Sequence, residues 1–439
     1  MIKGAALVFL SRNLQKVVAL LVSVLITHTL GAKGLGAYGL LVTTLTYAVA
    51  FGSLGLGPAH VYLRGQGRMS IRQLLGNAIA GALIFGGAVV LVFTALRPLL
   101  HIQGVSPLMI TLVSLTFPLG ILQSHLDFLW QGEDRLGIYS GMFCFRALLL
   151  LFLLVLGLNA PNPYTGMAVA LILNSVLTLA VTLVLLRRKY GLRPQFDRGQ
   201  FSAALRYGSR VQPGSLAQAV GYRLDYFLIN AFIGTAATGQ YVLATNLAEA
   251  LWILPYALSV ALLPRVSTAS VATAQQVTAR ALRVALAISA AGGLVLFLLA
   301  ELVLRLVYGP ENVVAAPALR ILLFGTVIFS AQKLLANYFI GQGKASWFLR
   351  ATFIAMVVNV ALNLWLIPLF GWGIKGAALA STVSYTLSTG ILAWLFARWS
   401  GIPWRDLFVL NRSDIEEMTS RLGRLGKRAA GLRHRGATR

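Results

Sequence analysis

What constrains this chain most is a succession of apolar stretches, each about 20 residues long and nearly free of charge. Ala287–Leu299 lies in one of them. At about 1.5 Å per residue, a helix of that length matches the hydrocarbon thickness of a bilayer, roughly 30 Å. No water is available there, so a spanning backbone must satisfy itself as a helix or a closed barrel. Barrel strands alternate polar and apolar residues over about ten positions, and these runs do not. Composition agrees: 58% of the 439 residues are hydrophobic and 11% are charged, and the mean hydropathy is +0.78. A water-exposed fold could not cover its surface with so little charge.

The sequence predicts twelve spans: Leu7–Leu30, Tyr38–Leu63, Leu74–Leu96, Leu108–Trp130, Leu136–Leu156, Thr165–Leu186, Tyr207–Ile233, Tyr241–Val266, Ala281–Leu306, Ala318–Ile340, Trp347–Leu369 and Ala377–Phe396. Gly, Pro and charge punctuate the connections, as at Gly31–Gly39, Asn159–Tyr164 and Gly309–Pro310. Arg12 and Lys16 interrupt the first apolar region and no small-residue cleavage site follows, so it reads as a retained helix rather than a signal peptide.

Basic residues orient the bundle. Arg64, Arg68 and Arg72, the run Arg187 to Arg198, Arg280 and Arg283, Lys344 and Arg350, and the arginine-rich tail all fall on one side. The other side holds only Lys33, Arg97, Arg305 and Lys375. The positive-inside rule places the first side, and with it both termini, in the cytoplasm of a cell inner membrane. Most of the net charge of +25 is then a topology signal and a contact for anionic lipids, not a nucleic-acid footprint.

The chain also repeats itself. Leu30-Gly31-x4-Gly36-x-Tyr38 is matched by Ile233-Gly234-x4-Gly239-x-Tyr241, and Gln131-Gly132 by Gln342-Gly343. Gly166–Ala170 is matched by Gly376–Ala380. Six helices per repeat make the halves parallel. The expected organisation is an all-α membrane protein of two six-helix lobes around a central cavity. An N-terminal lobe (1–190) is joined by a basic cytoplasmic linker (191–206) to a C-terminal lobe (207–398). A basic tail follows (399–439), read either as an amphipathic helix on the membrane or as a solvated segment.

Charges at membrane depth usually face a cavity or a partner. The expected substrate-binding cations are Arg12, Lys16, Arg146, Arg210, Arg223 and Lys333; the candidate ion-coupling acids are Asp127, Asp225 and Glu249. Arg12 and Lys16 read as an anion-binding face or as side chains snorkelling to the interface. Arg146 reads as a cavity group or as the partner of Asp127. Arg223 and Asp225 read as site residues or as members of ion pairs. Pro213-Gly214 is expected to break or kink the seventh span, and Arg210, Gln218, Tyr222 and Asp225 to share its broad polar face. The cation excess suits an anionic substrate, phosphate oxygens above all.

The sequence holds no phosphate-binding loop, no zinc-protease motif and no nucleophile elbow. The single cysteine, Cys144, forms no internal disulfide, and no metal-ligand spacing occurs. His28, His60, His101, His125 and His434 are scattered along the chain. No cofactor and no enzymatic activity are expected.

Several blocks resemble the polysaccharide-biosynthesis (Wzx-type) flippases of the multidrug/oligosaccharidyl-lipid/polysaccharide superfamily. They are Leu10-Ser11-Arg12, Arg223-x-Asp225, Leu263-Pro264-Arg265, Gly341-x-Gly343 and Asn359-x3-Asn363-x3-Ile367-Pro368 with Gly376-Ala377-Ala378. The resemblance implies two lobes around a cationic cavity and translocation of an undecaprenyl-pyrophosphate-linked oligosaccharide by alternating access, coupled to protons or sodium. Arg12, Arg146, Arg210 and Arg223 are the cavity arginines it implies. Its partners would be that polyprenyl-linked glycan and other polysaccharide-assembly proteins. The alternatives are a lipid II-type flippase or a multidrug exporter of the same superfamily. From other classes come a membrane polymerase or ligase, which needs a catalytic outer loop, and a scaffold for glycan assembly.

Overall fold

The structure, a computed structural model, describes residues 2–97, 101–191 and 193–408. The basic tail expected to lie on the membrane falls outside these residues after Phe408. Among the described residues there are sixteen α-helices, one 3-10 helix (Pro310–Ala315) and no strand. The helices are α1 (Ile2–Gly52), α2 (Leu56–Gly65), α3 (Ile71–Leu96), α4 (Pro107–Ser114), α5 (Phe117–Gly132), α6 (Leu136–Leu158), α7 (Pro163–Tyr190) and α8 (Arg198–Phe232). They continue as α9 (Thr235–Ala250), α10 (Ile253–Thr268), α11 (Val271–Leu298), α12 (Ala300–Tyr308), α13 (Ala316–Gly341), α14 (Ala345–Leu366), α15 (Gly373–Ser400) and α16 (Trp404–Phe408).

By length and composition, nine stretches of these residues qualify as membrane spans, or ten if the broken pair α9–α10 counts as one. Two features separate this from the twelve expected. First, α1 has 51 residues, about 75 Å of helix, too long for one crossing. It breaks at Gly31, whose φ of 66° and ψ of −171° interrupt the ladder. The connection expected over Gly31–Gly39 is therefore one residue wide, and the helix resumes at once. Second, α8 is 35 residues long but too polar to pass on hydropathy.

Two other local expectations change. The span predicted from Tyr38 to Leu63 is interrupted between α1 and α2, where Leu54 (φ 44°) and Gly55 (φ 69°) turn the chain. Conversely, α8 continues without a break through Pro213. The segment 191–206, read as linker, is non-helical only to Asp197. That aspartate caps α8 through Gln200 N–H at 3.0 Å, and its own N–H donates to Asn77 Oδ1 at 3.1 Å.

The contacts divide the chain into two compact units. The first comprises the chain up to Ala250, Leu296–Gly325 and Thr352–Ser384. Its α1 and α9 cross at Gly36 and Gly239, the equivalent glycines of the sequence repeat. A Cβ on Gly36 would stand 2.8 Å from Gly239 N and would overlap the Thr235 carbonyl. A Cβ on Gly239 would stand 2.9 Å from Gly36 N and would overlap the Ala32 carbonyl. Only glycine permits backbone-to-backbone packing this close. Hydrogen bonds tie the same end of the unit together. Asn230 Nδ2 donates to His101 O at 2.8 Å, Gln103 N–H to Thr235 Oγ1 at 3.1 Å, and the Ser23 and Tyr308 hydroxyls meet at 3.0 Å.

The second unit comprises Leu251–Val295, Thr326–Ala351 and the described residues from Tyr385 on. Its core gathers Tyr338, Phe339 and Phe396 with Leu262, Leu282 and Leu334. Arg283 Nη1 donates to the Asp406 carbonyl at 2.6 Å, which ties α16 to α11.

Candidate functional site: a polar cavity and a carboxylate network

Within the first unit, α1, α5, α6 and α7 enclose a cavity of about 470 Å³. Its polar lining includes Arg12, Gln123, Asp127, Arg146, Asn174 and Thr178. Gln123 and Asp127 are one turn apart on α5, so both project to the same wall. Gln123 Nε2 donates to Asp127 Oδ1 at 2.9 Å, and Arg146 Nη2 bridges both carboxylate oxygens at 3.1 and 3.0 Å. The cavity reading and the ion-pair reading of Arg146 therefore hold together. Arg12 Nη2 donates to the Tyr139 hydroxyl at 2.8 Å, and its guanidinium lies 4.2 Å from the Phe143 ring centroid. Arg146 lies 5.1 Å from the same ring. Phe143 thus orients both arginines.

Several buried polar atoms here have no partner among the described residues: Arg12 Nε, Arg146 Nε, Gln123 Oε1, Asn174 Oδ1 and Thr178 Oγ1. Burying a polar atom unpaired costs about 1–3 kcal/mol, so a cluster of them marks a place prepared for something else. The guanidinium donors suit anionic oxygens; the amide and hydroxyl groups suit sugar hydroxyls.

The second assembly, also in the first unit, is built on α8 and α9. Arg223 grips Glu249 fork to fork, Nη1 to Oε1 at 2.6 Å and Nη2 to Oε2 at 2.9 Å. Lys16 lies within the field of both. Asp225 is buried, at 4% exposure. It accepts from the Tyr241 hydroxyl at 2.6 Å, Tyr226 N–H at 3.0 Å and Ser381 Oγ at 3.3 Å. Asn359 Nδ2 extends the network to Ser381 and Ser384 at 3.4 and 3.3 Å, and Asn363 Nδ2 to Asn359 at 3.1 Å.

The structure therefore joins Arg12, Asp127 and Arg146 in one cavity, and Lys16, Arg223 and Glu249 in one charge cluster with Asp225 beside it. Arg210 is exposed and has no hydrogen bond or ion pair among the described residues. Lys333 belongs to the second unit, where its ammonium lies 4.1 Å from the Trp252 ring centroid. Arg146 and Arg223 are each neutralised by a carboxylate on another helix, which leaves Arg12, Lys16, Arg210 and Lys333 against Asp225. Sequence reasoning missed Asn174, Ser175 and Thr178, which are single polar residues on a strongly apolar α7. It also missed the pair Arg320–Glu301 at 2.9 Å.

The long apolar helices define an integral membrane protein with several spans. The comparisons place it more narrowly. The family model described as Polysaccharide biosynthesis protein matches residues 1–270, and the one described as Lipid II flippase MurJ matches residues 142–413. The chain belongs to the polysaccharide biosynthesis protein family, within the MOP superfamily of flippases and transporters. Among solved structures, an inward closed lipid II flippase MurJ has a TM-score of 0.77 at 13% identity, covering 92% of this chain and 89% of that one. An inward-facing MATE multidrug transporter has a TM-score of 0.71 at 14% identity, covering 90% and 94%. A MOP superfamily transporter from Pyrococcus furiosus has 0.66 at 15% identity, covering 91% and 95%. These likenesses share the fold. An uncharacterized membrane protein of Methanocaldococcus jannaschii is 29% identical over 97 residues, 22% of this chain and 18% of that protein's length.

Proposed function

We propose that this flippase translocates a polyprenyl-pyrophosphate-linked oligosaccharide across the cytoplasmic membrane by alternating access, with both termini in the cytoplasm. The observation that carries the reading is the cavity in which Arg12 and Arg146 present unpartnered guanidinium nitrogens beside free amide and hydroxyl oxygens. Pyrophosphate would engage the arginines and sugar hydroxyls the amides, while the polyprenyl chain stays in lipid. The moving parts would be the halves 1–190 and 207–398. The Gly36–Gly239 crossing supports that division, since equivalent positions of the repeat meet there. The Asp225 network, with a buried carboxylate ringed by hydroxyls and amides, is the candidate coupling site for a proton or sodium ion. Anionic lipids at the basic face and other polysaccharide-assembly proteins complete the proposed surroundings.

The match to the MurJ family model over residues 142–413 favours a second reading, a lipid II-type substrate, which carries the same polyprenyl pyrophosphate. An exporter of organic cations fits less well, because the cavity's one acid is already held by Arg146. Arg12→Ala and Arg146→Ala test the assignment in cells that depend on this chain for surface polysaccharide. Protein should be present in the membrane and export lost. Full export by both variants would contradict the site.

A further inference from the structure

Buried polar atoms without a partner do not stop at the cavity. They continue along α7 and its neighbours toward the helix end that carries Arg187, Arg188 and Lys189. Thr182 Oγ1 follows Thr178 Oγ1 by one turn, and Thr178 Oγ1 follows Asn174 Oδ1 by one turn; none of the three has a partner among the described residues. Nearer that end, Ser140 Oγ on α6, Trp130 Nε1 on α5 and the Tyr190 hydroxyl on α7 are enclosed in the same way, again without a partner among the described residues. Trp130, Ser140, Thr178 and Thr182 are at 0–4% exposure. All six residues belong to the first unit. Trp130, Tyr139, Phe143, Leu179 and Leu186 share one core, with Tyr190 packed against it, so α5, α6 and α7 meet around these atoms.

The threonines carry the most information. A helical threonine commonly gives its hydroxyl to the carbonyl four residues back. In the same unit Thr44, Thr46 and Thr94 do so at 2.8 Å, and Ser175, beside Asn174, does so at 3.0 Å. Thr178 and Thr182 make no such bond, so their hydroxyls are left for another partner. The spacing says which. Positions four apart on a helix are separated by about 6 Å along the axis. A water that bonds at about 2.8 Å on each side bridges nearly that distance. Helical side chains lean toward the N-terminus, so Tyr190 reaches back over Leu186 and brings its hydroxyl to within about one turn of Thr182. The ring centroids of Tyr190 and Trp130 are 6.2 Å apart, which sets the indole N–H at the same level. Ser140 lies one turn into α6, across the short connection from the end of α5.

The chemistry of the series suits water. The hydroxyls donate and accept, the indole N–H donates and the amide oxygen accepts. Internal water is held where several polar atoms in an apolar core lack protein partners. The charged neighbour on α5, Asp127, is already engaged by Arg146 and Gln123, so the series itself carries no charge for an ion to meet.

We propose that Asn174, Thr178, Thr182, Ser140, Trp130 and Tyr190 hold a file of bound water inside the first unit, running from the cavity along α7 to its basic end. Tyr190 is the outer member: it is half-buried, and Lys189 Nζ lies 5.6 Å from its ring centroid. The file gives the cavity a route for water exchange separate from its own opening, so water leaves as polar groups of a ligand take its place. The water file does not depend on the flippase reading.

The test is X-ray hydroxyl-radical footprinting of the purified full chain, which oxidises side chains in contact with water, internal water included. Trp130 is the reporter and the equally enclosed Phe117 the control, each rate being divided by its rate in the unfolded chain. Trp130 should be oxidised many times faster than Phe117 on that scale. After rapid mixing into H₂¹⁸O, the oxygen it acquires should carry the new isotope within seconds. Equal protection of Trp130 and Phe117 would overturn the file. Oxidation of Trp130 that still draws on the old isotope minutes after mixing would overturn the exchange route and leave trapped water. Thr182→Val keeps the shape of the side chain and removes the middle hydroxyl. It should lower the melting temperature, because the waters on either side lose a partner. A hydroxyl idle in a dry core predicts the reverse, so a raised melting temperature in Thr182→Val would also overturn the proposal.

Discussion

The Gly36–Gly239 crossing invites a direct perturbation, Gly239→Val. The Cβ alone overlaps the Ala32 carbonyl and stands 2.9 Å from Gly36 N, both of them backbone groups that no rotamer change can move. To restore ordinary contact, α1 and α9 must part by roughly 1.5 Å. Overpacking of this kind costs about 1–3 kcal/mol, which converts to roughly a 5- to 150-fold loss for the arrangement seen here relative to one in which these helices have separated. Gly239→Ala should sit at the lower end. Spin labels on Lys33→Cys and Ala236→Cys, both exposed, would report the separation once Cys144→Ser has removed the one native thiol. Pulsed electron resonance should show one short distance in the parent and a longer population in Gly239→Val, with reduced export. A folded Gly239→Val chain with an unchanged distance distribution would refute the idea that glycine at this crossing holds α1 against α9.

Two further outcomes follow from the charge pairs. Glu249→Ala leaves Arg223 without its fork-fork partner at depth and should cost about 3–5 kcal/mol; Arg223→Leu/Glu249→Leu should recover most of it, read as melting temperature in detergent. Asp225→Asn should preserve fold and substrate binding but abolish the dependence of transport on an imposed ion gradient. Gradient-driven transport at the parent rate would remove Asp225 from the coupling role.

The helical membrane architecture was legible because apolar length is a coarse signal that survives local irregularity. The repeat was legible too, and its Gly36 and Gly239 proved to be the residues that touch. What failed was anything set by a neighbouring helix. The tally of six cations and three acids at depth did not say which of them pair; Arg146–Asp127 and Arg223–Glu249 have members 19 and 26 positions apart. Asn174 and Thr178 were invisible within the apolar pattern of α7. His60 and His125 looked scattered, yet α2 and α5 bring their rings to a centroid distance of 5.8 Å, and nothing in sequence says that these helices pack. Pro213 was expected to break or kink its span, yet α8 is continuous through it, since a proline removes a single backbone donor. Gly31 was read within a loop, yet a single residue with positive φ suffices to turn the chain.

The most direct test of the central claim is translocation by the purified chain in sealed vesicles. A polyprenyl-pyrophosphate oligosaccharide with a labelled sugar would be loaded in one leaflet and its arrival in the other read by an impermeant lectin or glycosidase. Transfer should be fast with the parent chain and fall to the protein-free rate with Arg12→Ala/Arg146→Ala. Protein-free rates for the parent chain, together with gradient-driven uptake of a small organic cation, would contradict the account.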